Sequence, residues 1–275
     1  MASKKNLLRT LAATAAVLLA TTLAACSGSS VSGDTITAGK LTIGTGNPAY
    51  EPWVVGDAPE SGEGFEAAVA YAVAEKLGFK AADVVWVRTT FDEAIAPGQK
   101  NFDFNLQQYS ITDERKANVD FSSAYYETAQ VVVTVAGSPA ASATSIADLK
   151  GYLLGAATGT TSYDAIGSVI NPTQKAQAFN SNDDAKAALT NGQVDAIVLD
   201  LPTALYASCC ELDGGKIVGQ LPTAAKGDQF GLVLDKGSKL TAAVTKAVDE
   251  LRADGTLAKL EEKWLTADAG VPVLK

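Results

Sequence analysis

The chain of 275 residues contains no histidine. This absence excludes Ser–His and Cys–His nucleophile systems and every metal site that depends on histidine ligands. Enzyme chemistry would have to run on carboxylates, lysine or tyrosine. Cysteine is almost as scarce, because two of the three, Cys209 and Cys210, are adjacent and Cys26 stands alone. With no second cysteine cluster, we expect neither a metal nor a cofactor.

Basic residues are also in the minority, with 22 Lys and Arg against 31 Asp and Glu. Binding to nucleic acid needs a basic face, and none is visible in the sequence, so we expect no nucleic-acid partner. Apolar residues make up 47% of the chain and charged residues 19%, which is typical of an ordinary globular protein. The length allows one large core or two small ones.

The amino-terminal residues have the pattern of a targeting segment. A basic start precedes an apolar stretch over about 11–23 that is too short to predict a membrane span. The sequence Leu-Ala-Ala-Cys at 23–26 resembles the lipobox of bacterial lipoproteins. This resemblance implies a signal peptide over 1–25, two acyl chains on Cys26 and a flexible tether over 26–38. The protein would then be lipid-anchored at the extracytoplasmic face of the cell membrane. An ordinary cleavable signal fits the same pattern.

Acylation of Cys26 would leave Cys209 and Cys210 with only each other as intramolecular partners. An oxidised vicinal pair is compatible with a location outside the cytoplasm. Its loop is so short that it would stabilise the fold little. We therefore expect a local rigid turn without chemistry of its own.

The most informative segment of the chain is 102–126, FDFNLQQYSITDERKANVDFSSAYY. It begins with alternating apolar residues, which indicate a strand. Thr112 can then cap a helix whose first turn holds Asp113 and Glu114, where carboxylates suit the helix dipole. Arg115 lies in the same turn, which is the unfavourable end for a cation. A guanidinium beside free amides at a helix start can receive a carboxylate. A surface ion pair of Arg115 with Asp113 or Glu114 is the competing interpretation.

The stretch SITDERKANVDFSSAYY within this segment resembles the signature of the polar amino-acid-binding proteins of ABC importers, solute-binding family 3. Further blocks match in order and spacing, namely GFEAAVAYAVAEKLGF at 64–79, VDAIVLDLPTALYA at 194–207 and the tail over 230–264. The resemblance implies an α/β fold of the type II periplasmic binding protein class. Such a fold has two lobes, parallel-type sheets flanked by helices and two hinge crossings, so that the lobes can close over a ligand.

Alternating strand and helix patterns independently predict parallel α/β sheets. We predict strands at 41–44, 84–87, 102–106, 152–156 and 195–199, a helix from Phe65 to Leu77, and helix caps at Thr112, Ser145 and Ser181 or Asn182. The apolar runs 131–133 and 231–234 match the two crossings of the family. Lobe one would then comprise 39–132 plus 229–275 and lobe two 133–228. Periodicity alone would also permit one doubly wound domain.

Ligands of open α/β sheets bind beyond the carboxyl ends of the strands. Matched to the family motif, Arg115 would hold the α-carboxylate of an amino acid, with help from Ser110 and the amide of Thr161. Asp200, directly after an apolar run, and the carbonyl of Gln108 would take the α-ammonium. The competing interpretation of Asp200 is a cap for the helix that follows it.

Aromatic residues at Tyr50, Trp53 and Phe91 align with positions where the family surrounds the ligand side chain. Each could instead be a core residue, Trp53 more readily than Tyr50. Asn47 stands where many members have an Asp that reads the side chain, and Glu51 lies close by. The departure at Asn47 puts a strictly basic-side-chain preference in doubt, and Glu51 could partly restore that preference.

These features predict an extracytoplasmic solute-binding protein that captures a polar amino acid in the inter-lobe cleft and delivers it to the transmembrane subunits of an ABC permease. We expect a monomer that makes and breaks no bonds. One alternative is an enzyme that resembles cyclohexadienyl dehydratases, with Glu51 as the candidate general acid. Another is a ligand-sensing module that acts on a membrane receptor. The sequence does not reveal which amino acid is bound.

Overall fold

Two five-stranded sheets form the frame of the protein in this computed structural model, which describes residues 31–222, 227–265 and 270–275 apart from the side chain of residue 32. The sheets and their flanking helices make a two-lobed α/β fold within one compact unit, Val31–Lys275. The predicted signal peptide and Cys26 lie outside the described residues. Within those ranges, no helix combines the length and the apolar character needed to cross a membrane.

The elements follow one another along the chain as alternating strands and helices. The strands are β1 (Leu41–Gly46), β2 (Val84–Thr89), β3 (Phe104–Asn105), β4 (Val119–Thr128), β5 (Gln130–Val135), β6 (Leu154–Ala157), β7 (Gln177–Phe179), β8 (Ala196–Asp200), β9 (Gly215–Gln220) and β10 (Asp228–Asp235). The α-helices are α1 (Phe65–Lys76), α2 (Phe91–Ile95), α3 (Asp113–Lys116), α4 (Ile146–Leu149), α5 (Thr161–Ala165), α6 (Asn182–Thr190), α7 (Leu201–Tyr206), α8 (Thr241–Ala253) and α9 (Thr256–Trp264). Short 3-10 turns cover Val31–Gly33, Val55–Asp57, Pro59–Ser61, Ala81–Asp83 and Pro139–Ser142, and π-helical turns at Ile166–Ile170 and Ala207–Glu211 extend α5 and α7.

Each sheet combines parallel and antiparallel strands. The order in the first sheet is β2-β1-β3-β10-β4, in which β1 is parallel to β2 and β3 and β10 is antiparallel to both of its neighbours. The second sheet repeats this plan as β7-β6-β8-β5-β9, with β5 as the antiparallel strand. The predicted parallel arrangement is therefore confirmed for three strands in each sheet. β5 and β10 run the other way because each enters directly from the other sheet, without the crossover helix that a parallel partner needs.

The chain passes between the sheets at the β4–β5 junction, which is Ala129, and again between β9 and β10. The runs 131–133 and 231–234, expected at the crossings, lie instead inside β5 and β10. Both strands are flanked on either side by another strand, and their side chains are buried, which explains the continuous apolar pattern.

The last residues of the chain, 270–275, also depart from expectation. The sequence predicts these residues as part of lobe one, yet they contact the second sheet, where Val273 bridges Gln220 and Leu274 enters the core.

Local sequence signals account for the starts of several helices. The side chains of Thr112, Ser145 and Ser181 each accept a hydrogen bond from an amide in the first turn of α3, α4 and α6, as predicted. The strand predicted over 102–106 is shorter than expected, since only β3 pairs fully. The vicinal disulfide between Cys209 and Cys210 is present, but it lies in the helical extension of α7 and not in a turn, which corrects the expectation.

Candidate functional site

A cavity of about 160 Å³ lies between the two lobes and is lined by residues of both. Its walls are the segments that follow β1, β2 and β3 in the first sheet and β6, β7 and β8 in the second. All six are the carboxyl ends of the parallel strands, which is where open α/β sheets bind ligands. Cavities of about 150 Å³ accommodate a benzene ring, so this volume suits one small molecule.

Most of the predicted site residues meet in this cavity. It is lined by Asn47, Tyr50, Phe91, Gln108, Ser110, Arg115, Thr161 and Asp200 among others. Trp53 and Glu51 are not among the lining residues. In the described ranges, no three acidic or cysteine side chains come close enough together to hold a metal ion.

Arg115 projects from the short helix α3 into the cavity and is only 7% exposed. Its Nη1 donates to the carbonyl of Ser110 at 2.8 Å, and its Nη2 donates across the lobes to the carbonyl of Gly159 at 2.9 Å. The guanidinium also lies 5.3 Å from the ring centre of Phe91. Burial lowers the pKa of Arg115. None of the ion pairs between described residues involves the Arg115 side chain. Asp113, one of its two expected partners, pairs with Lys116. The surface ion-pair interpretation of Arg115 is therefore wrong.

Asp200 ends β8 and directs its half-buried carboxylate to the same cavity. It precedes α7 but its side chain makes no capping hydrogen bond, so the capping interpretation is wrong. Nε2 of Gln130 donates to Asp200 Oδ1 at 2.9 Å and to Asp228 Oδ2 at 2.7 Å. Burial and the negative charge of Asp228 raise the pKa of Asp200 to about 8, against the lowering effects of Gln130 and Arg115.

Hydroxyl groups from both lobes meet in the same cavity. The Oγ of Ser110 lies 3.1 Å from the Oγ1 of Thr161, which belongs to the other lobe. Thr161 is the first residue of α5, whose cap is Thr160. The amides of a first helical turn have no partner within the helix, so the Thr161 amide is available to a ligand. The arrangement offers donors next to a buried guanidinium.

Gln108 has a left-handed backbone, with φ of 53°, which an ordinary side chain rarely adopts. Glu66 holds this conformation, because its Oε1 accepts from the Gln108 amide at 2.8 Å and its Oε2 accepts from the Gln108 side chain. The hydroxyl of Tyr125 also donates to Glu66. Burial raises the pKa of Glu66 to about 7. No signal in the sequence indicated that Glu66 supports the site, because an acidic residue in the first turn of a helix is common.

Trp53 belongs to the core of the first lobe. Its side chain is completely buried and packs edge-on against Phe65 and Phe230, with ring centres 6.0 and 5.8 Å away. Its Nε1 donates to Oγ1 of Thr203 in the second lobe at 2.9 Å. The expectation that Trp53 surrounds the ligand is therefore wrong, because its ring packs against Phe65 of α1 and Phe230 of β10 and does not line the cavity.

Glu51 also points away from the cavity. Its Oε1 accepts from the amide of Gly56 at 3.3 Å, and the carboxylate hydrogen-bonds Tyr206, whose pKa it raises. Tyr50, in contrast, does line the cavity, and its hydroxyl contacts Asp183 and Ser181 of the second lobe. Burial, reinforced by the charge of Asp183, raises the pKa of Tyr50. Glu51 thus cannot restore a charge to the site, and Tyr50 joins the lobes at the rim.

Gln130 and Asp228 are functional candidates that the sequence reasoning did not single out. Gln130 is 4% exposed, and its Oε1 accepts from Ser162 at 2.6 Å while its amide bridges two carboxylates. The position of Gln130, a polar residue directly before the apolar run 131–133, could have indicated a functional role in the sequence. Its partner Asp228 is 98 positions away, so no local pattern could have paired them.

A two-lobed α/β fold with a cavity at the strand ends, holding a buried cation opposite a carboxylate, defines a binding protein of the type II periplasmic class. The chain belongs to the bacterial extracellular solute-binding proteins, family 3, whose family model matches residues 41–267.

Known proteins of this kind resemble the chain over most of its length. An L-arginine-binding protein of Pseudomonas aeruginosa is 31% identical over 228 residues, which is 80% of this chain and 86% of that protein. The structure of an ancestral arginine-binding protein bound to glutamine is similar with a TM-score of 0.69 and 35% identity, over 83% of this chain and 98% of that one. An ancestral amino-acid-binding protein described as a precursor of cyclohexadienyl dehydratase has a TM-score of 0.66 and 30% identity, over 83% of this chain and 96% of that one.

Proposed function

We propose that this protein captures a polar amino acid in the cavity between its lobes and delivers it to the transmembrane subunits of an ABC importer. One observation carries the proposal: the buried guanidinium of Arg115 and the carboxylate of Asp200 line a single cavity. The space suits one small molecule. A zwitterion supplies a carboxylate for the guanidinium and an ammonium group that favours the ionised form of Asp200, so that both of its charges are matched once it is bound.

Arg115 would hold the α-carboxylate. Its two guanidinium nitrogens already donate to carbonyl oxygens, and a guanidinium has five N–H groups, so donors remain for a bidentate contact. Ser110 and the amide of Thr161 would complete the donor set. Because Ser110 and Thr161 come from different lobes, a carboxylate placed here would be held from both sides.

Asp200 would hold the α-ammonium together with the carbonyl of Gln108. The left-handed backbone of Gln108, secured by Glu66, leaves this carbonyl outside the regular hydrogen bonding of the sheet. An ammonium group has three donors and needs several acceptors at once. Tyr50 and Phe91 would flank the ligand side chain, with Asn47 nearby, since all three line the cavity.

Contacts between the lobes support capture by closure. The guanidinium of Arg115 reaches the Gly159 carbonyl, Ser110 meets Thr161, and Tyr50 contacts the start of α6. A ligand that bridges the same two walls would favour the closed state over an open one by its differential contacts. The two passages of the chain between the sheets, at Ala129 and between β9 and β10, would act as the hinge.

Binding without chemistry is favoured over the dehydratase alternative. Such an enzyme needs a general acid beside the substrate, and Glu51, the sequence candidate, lies outside the cavity lining. Incubation of the purified protein with prephenate or arogenate tests this directly. Recovery of both compounds unchanged is expected, and turnover of either would reject the transport function.

We further propose that the protein is a monomer at the outer face of the cell membrane. Lipid attached to Cys26 would anchor it there. The lipobox resemblance and the polar tether support this proposal.

A thermal-shift screen of the twenty amino acids tests the binding function, because a bound ligand raises the melting temperature by mass action. Calorimetry then measures each hit. If no amino acid raises the melting temperature or releases heat, the proposal fails.

A further inference from the structure

We infer that Arg88 is a positioning residue for ligand binding, because its guanidinium fastens both ends of the loop 47–57, which forms one wall of the cavity. We call this segment the rim loop. The inference rests on the proposed function, since it concerns how the same cavity keeps its shape. Neither Arg88 nor Asp57 is among the described residues that line the cavity, so Arg88 would act on the ligand only through the rim loop.

The guanidinium of Arg88 contacts the rim loop where it begins and where it ends. Nη1 donates to the carbonyl of Gly46, the last residue of β1, at 2.8 Å. Nη1 also donates to Oδ1 of Asp57, and Nη2 donates to the carbonyl of Asp57 at 2.6 Å. Arg88 can reach both ends because it lies beside β1 in the neighbouring strand, in register with Thr45. One rigid, planar group therefore closes the loop.

The carboxylate of Asp57 extends this attachment to the half of the rim loop that lines the cavity. Its Oδ1 accepts from the amide of Ala49 at 2.9 Å. Ala49 stands between Asn47 and Tyr50, and both of these line the cavity. The later segment 52–53 has an anchor of its own, because its carbonyl oxygens accept from amides in the first turn of α1 at 3.0 and 2.9 Å. Arg88 thus serves the cavity-lining half above all.

The backbone at the end of the rim loop needs the support of these contacts. Gly56 and Asp57 both have a left-handed backbone, with φ of 59° and 54°. Glycine adopts this conformation without penalty, but a residue with a side chain keeps it only where its surroundings fix it. The guanidinium of Arg88 and the amide of Ala49 fix Asp57 in this way.

An ordinary surface ion pair is the competing interpretation, since the side chains of Arg88 and Asp57 are 31% and 48% exposed. Such a pair contributes little to stability and places nothing. Arg88, however, also donates to two main-chain carbonyl groups, one at each end of the same loop. The attraction between two charges alone does not require these contacts, whereas the closure of a loop does.

Loss of Arg88 should therefore weaken binding more than it weakens folding. If Asn47 and Tyr50 hold their binding positions for only part of the time, the apparent affinity falls in proportion to that fraction. Tyr50 also contacts Asp183 of the second lobe, so a displaced loop would disfavour closure as well. The free energy of unfolding should change little, because the ion pair is partly exposed.

Arg88→Met tests the inference, because methionine is unbranched and offers no donors. In the ligand-free variant, hydrogen exchange read by mass spectrometry should be at least about tenfold faster in a peptide that spans 47–57. Calorimetry with each of the twenty L-amino acids should show the dissociation constant of the tightest binder raised at least about tenfold. The midpoint of urea unfolding should stay close to that of the unsubstituted protein.

Two further variants separate a role in positioning from a general defect. Lys40→Met is the matched control, because Lys40 pairs with Asp83 at 2.9 Å just before the same two strands, at the opposite edge of the sheet from the rim loop. It should change neither exchange nor affinity. Asp57→Gly suits the left-handed backbone but removes the acceptor of the Ala49 amide, so it should reproduce both effects of Arg88→Met.

Unaltered exchange in the peptide 47–57, or unaltered affinity, in Arg88→Met would overturn the inference. So would equal effects of Arg88→Met and Lys40→Met. The proposed function survives either result as long as the unsubstituted protein binds an amino acid. If the unsubstituted protein binds none of the twenty, the proposed function fails and the inference fails with it.

Discussion

Gln130 and Asp200 are registered partners across the antiparallel strands β5 and β8, and the amide of Gln130 donates to the carboxylate of Asp200 at 2.9 Å. The same amide reaches Asp228 at 2.7 Å. Gln130 is the first residue of β5 and Asp228 the first of β10, so one side chain joins both passages between the sheets to the cavity. The carboxyl group of Asp200 is thereby connected to the elements about which the lobes would move.

The pKa of Asp200 makes ligand binding sensitive to pH. Burial and the charge of Asp228 raise this pKa to about 8, so the carboxyl group of the empty protein holds its proton at neutral pH. A ligand ammonium favours the ionised form, so binding releases close to one proton. The affinity should therefore rise about tenfold per pH unit as the pH approaches 8 from below.

Calorimetry in buffers that differ in ionisation enthalpy measures this proton release. The variant Asp200→Asn is the control, and it should bind amino acids weakly at every pH while it retains its affinity for des-amino analogues. Binding of amino acids without proton release would contradict the assignment of the ammonium to Asp200.

Removal of the buried cation should abolish useful binding. Arg115→Ala would leave the ligand carboxylate without its charged partner, which costs about 3–5 kcal/mol, or roughly two to three and a half decades of affinity. Lys116→Ala is the matched control, because Lys116 is the exposed neighbour of Arg115 and pairs with Asp113 at 3.2 Å. Titration with the best ligand compares the two variants. Equal affinities would show that Arg115 does not contact the carboxylate.

Glu66 should matter for both stability and ligand affinity. Glu66→Ala would deprive the amide of Gln108 and the buried hydroxyl of Tyr125 of their acceptor, at a cost of about 3 kcal/mol in the free energy of unfolding. Gln108 would also lose the support for its left-handed backbone, so the ligand should bind less tightly. Urea unfolding and calorimetry measure the two effects. Glu75→Ala, at an exposed position of the same helix, should change neither. Lower stability with unaltered affinity would separate Glu66 from the site.

The hydrogen bond between Trp53 and Thr203 should stabilise the contact between the lobes. Thr203→Val keeps the shape of the side chain but leaves the fully buried indole N–H of Trp53 without an acceptor, which costs about 1–3 kcal/mol. The midpoint of urea unfolding should fall accordingly. Thr190→Val, on the exposed end of α6, removes a hydroxyl that bonds only its own helix and serves as the control. An unchanged midpoint for Thr203→Val would be inconsistent with this role.

Acyl chains on Cys26 should be required for attachment of the protein to the cell membrane. Mass spectrometry of the membrane fraction is expected to find the diacylated peptide that begins at Cys26, since two acyl chains suffice for stable anchoring. Cys26→Ser should release the protein into the medium, while a double Cys209→Ala and Cys210→Ala variant remains attached. An unmodified amino terminus in the membrane fraction would reject the lipoprotein assignment.

The sequence patterns were most useful where the cause is local. Thr112, Ser145 and Ser181 cap their helices because a cap bonds an amide only three residues away. Arg115 and Asp200 reach the cavity because Arg115 lies in the segment after β3 and Asp200 is the last residue of β8, and parallel strands place their carboxyl ends at one edge. The patterns could not orient Trp53 and Glu51, which share a loop with Tyr50 yet point elsewhere, since spacing does not state which way a loop side chain turns.

The ordered blocks that the chain shares with the family were enough to predict a two-lobed binding protein and to single out Arg115 and Asp200, two of the charged residues that line its cavity. Only the tertiary structure decided that Gln130 bridges Asp200 and Asp228, that Glu66 holds Gln108, and that the crossing strands run antiparallel. The reason is physical: these contacts join residues 42 to 98 positions apart. Their partners are chosen by how sheets and loops pack in space, which no periodicity along the chain records.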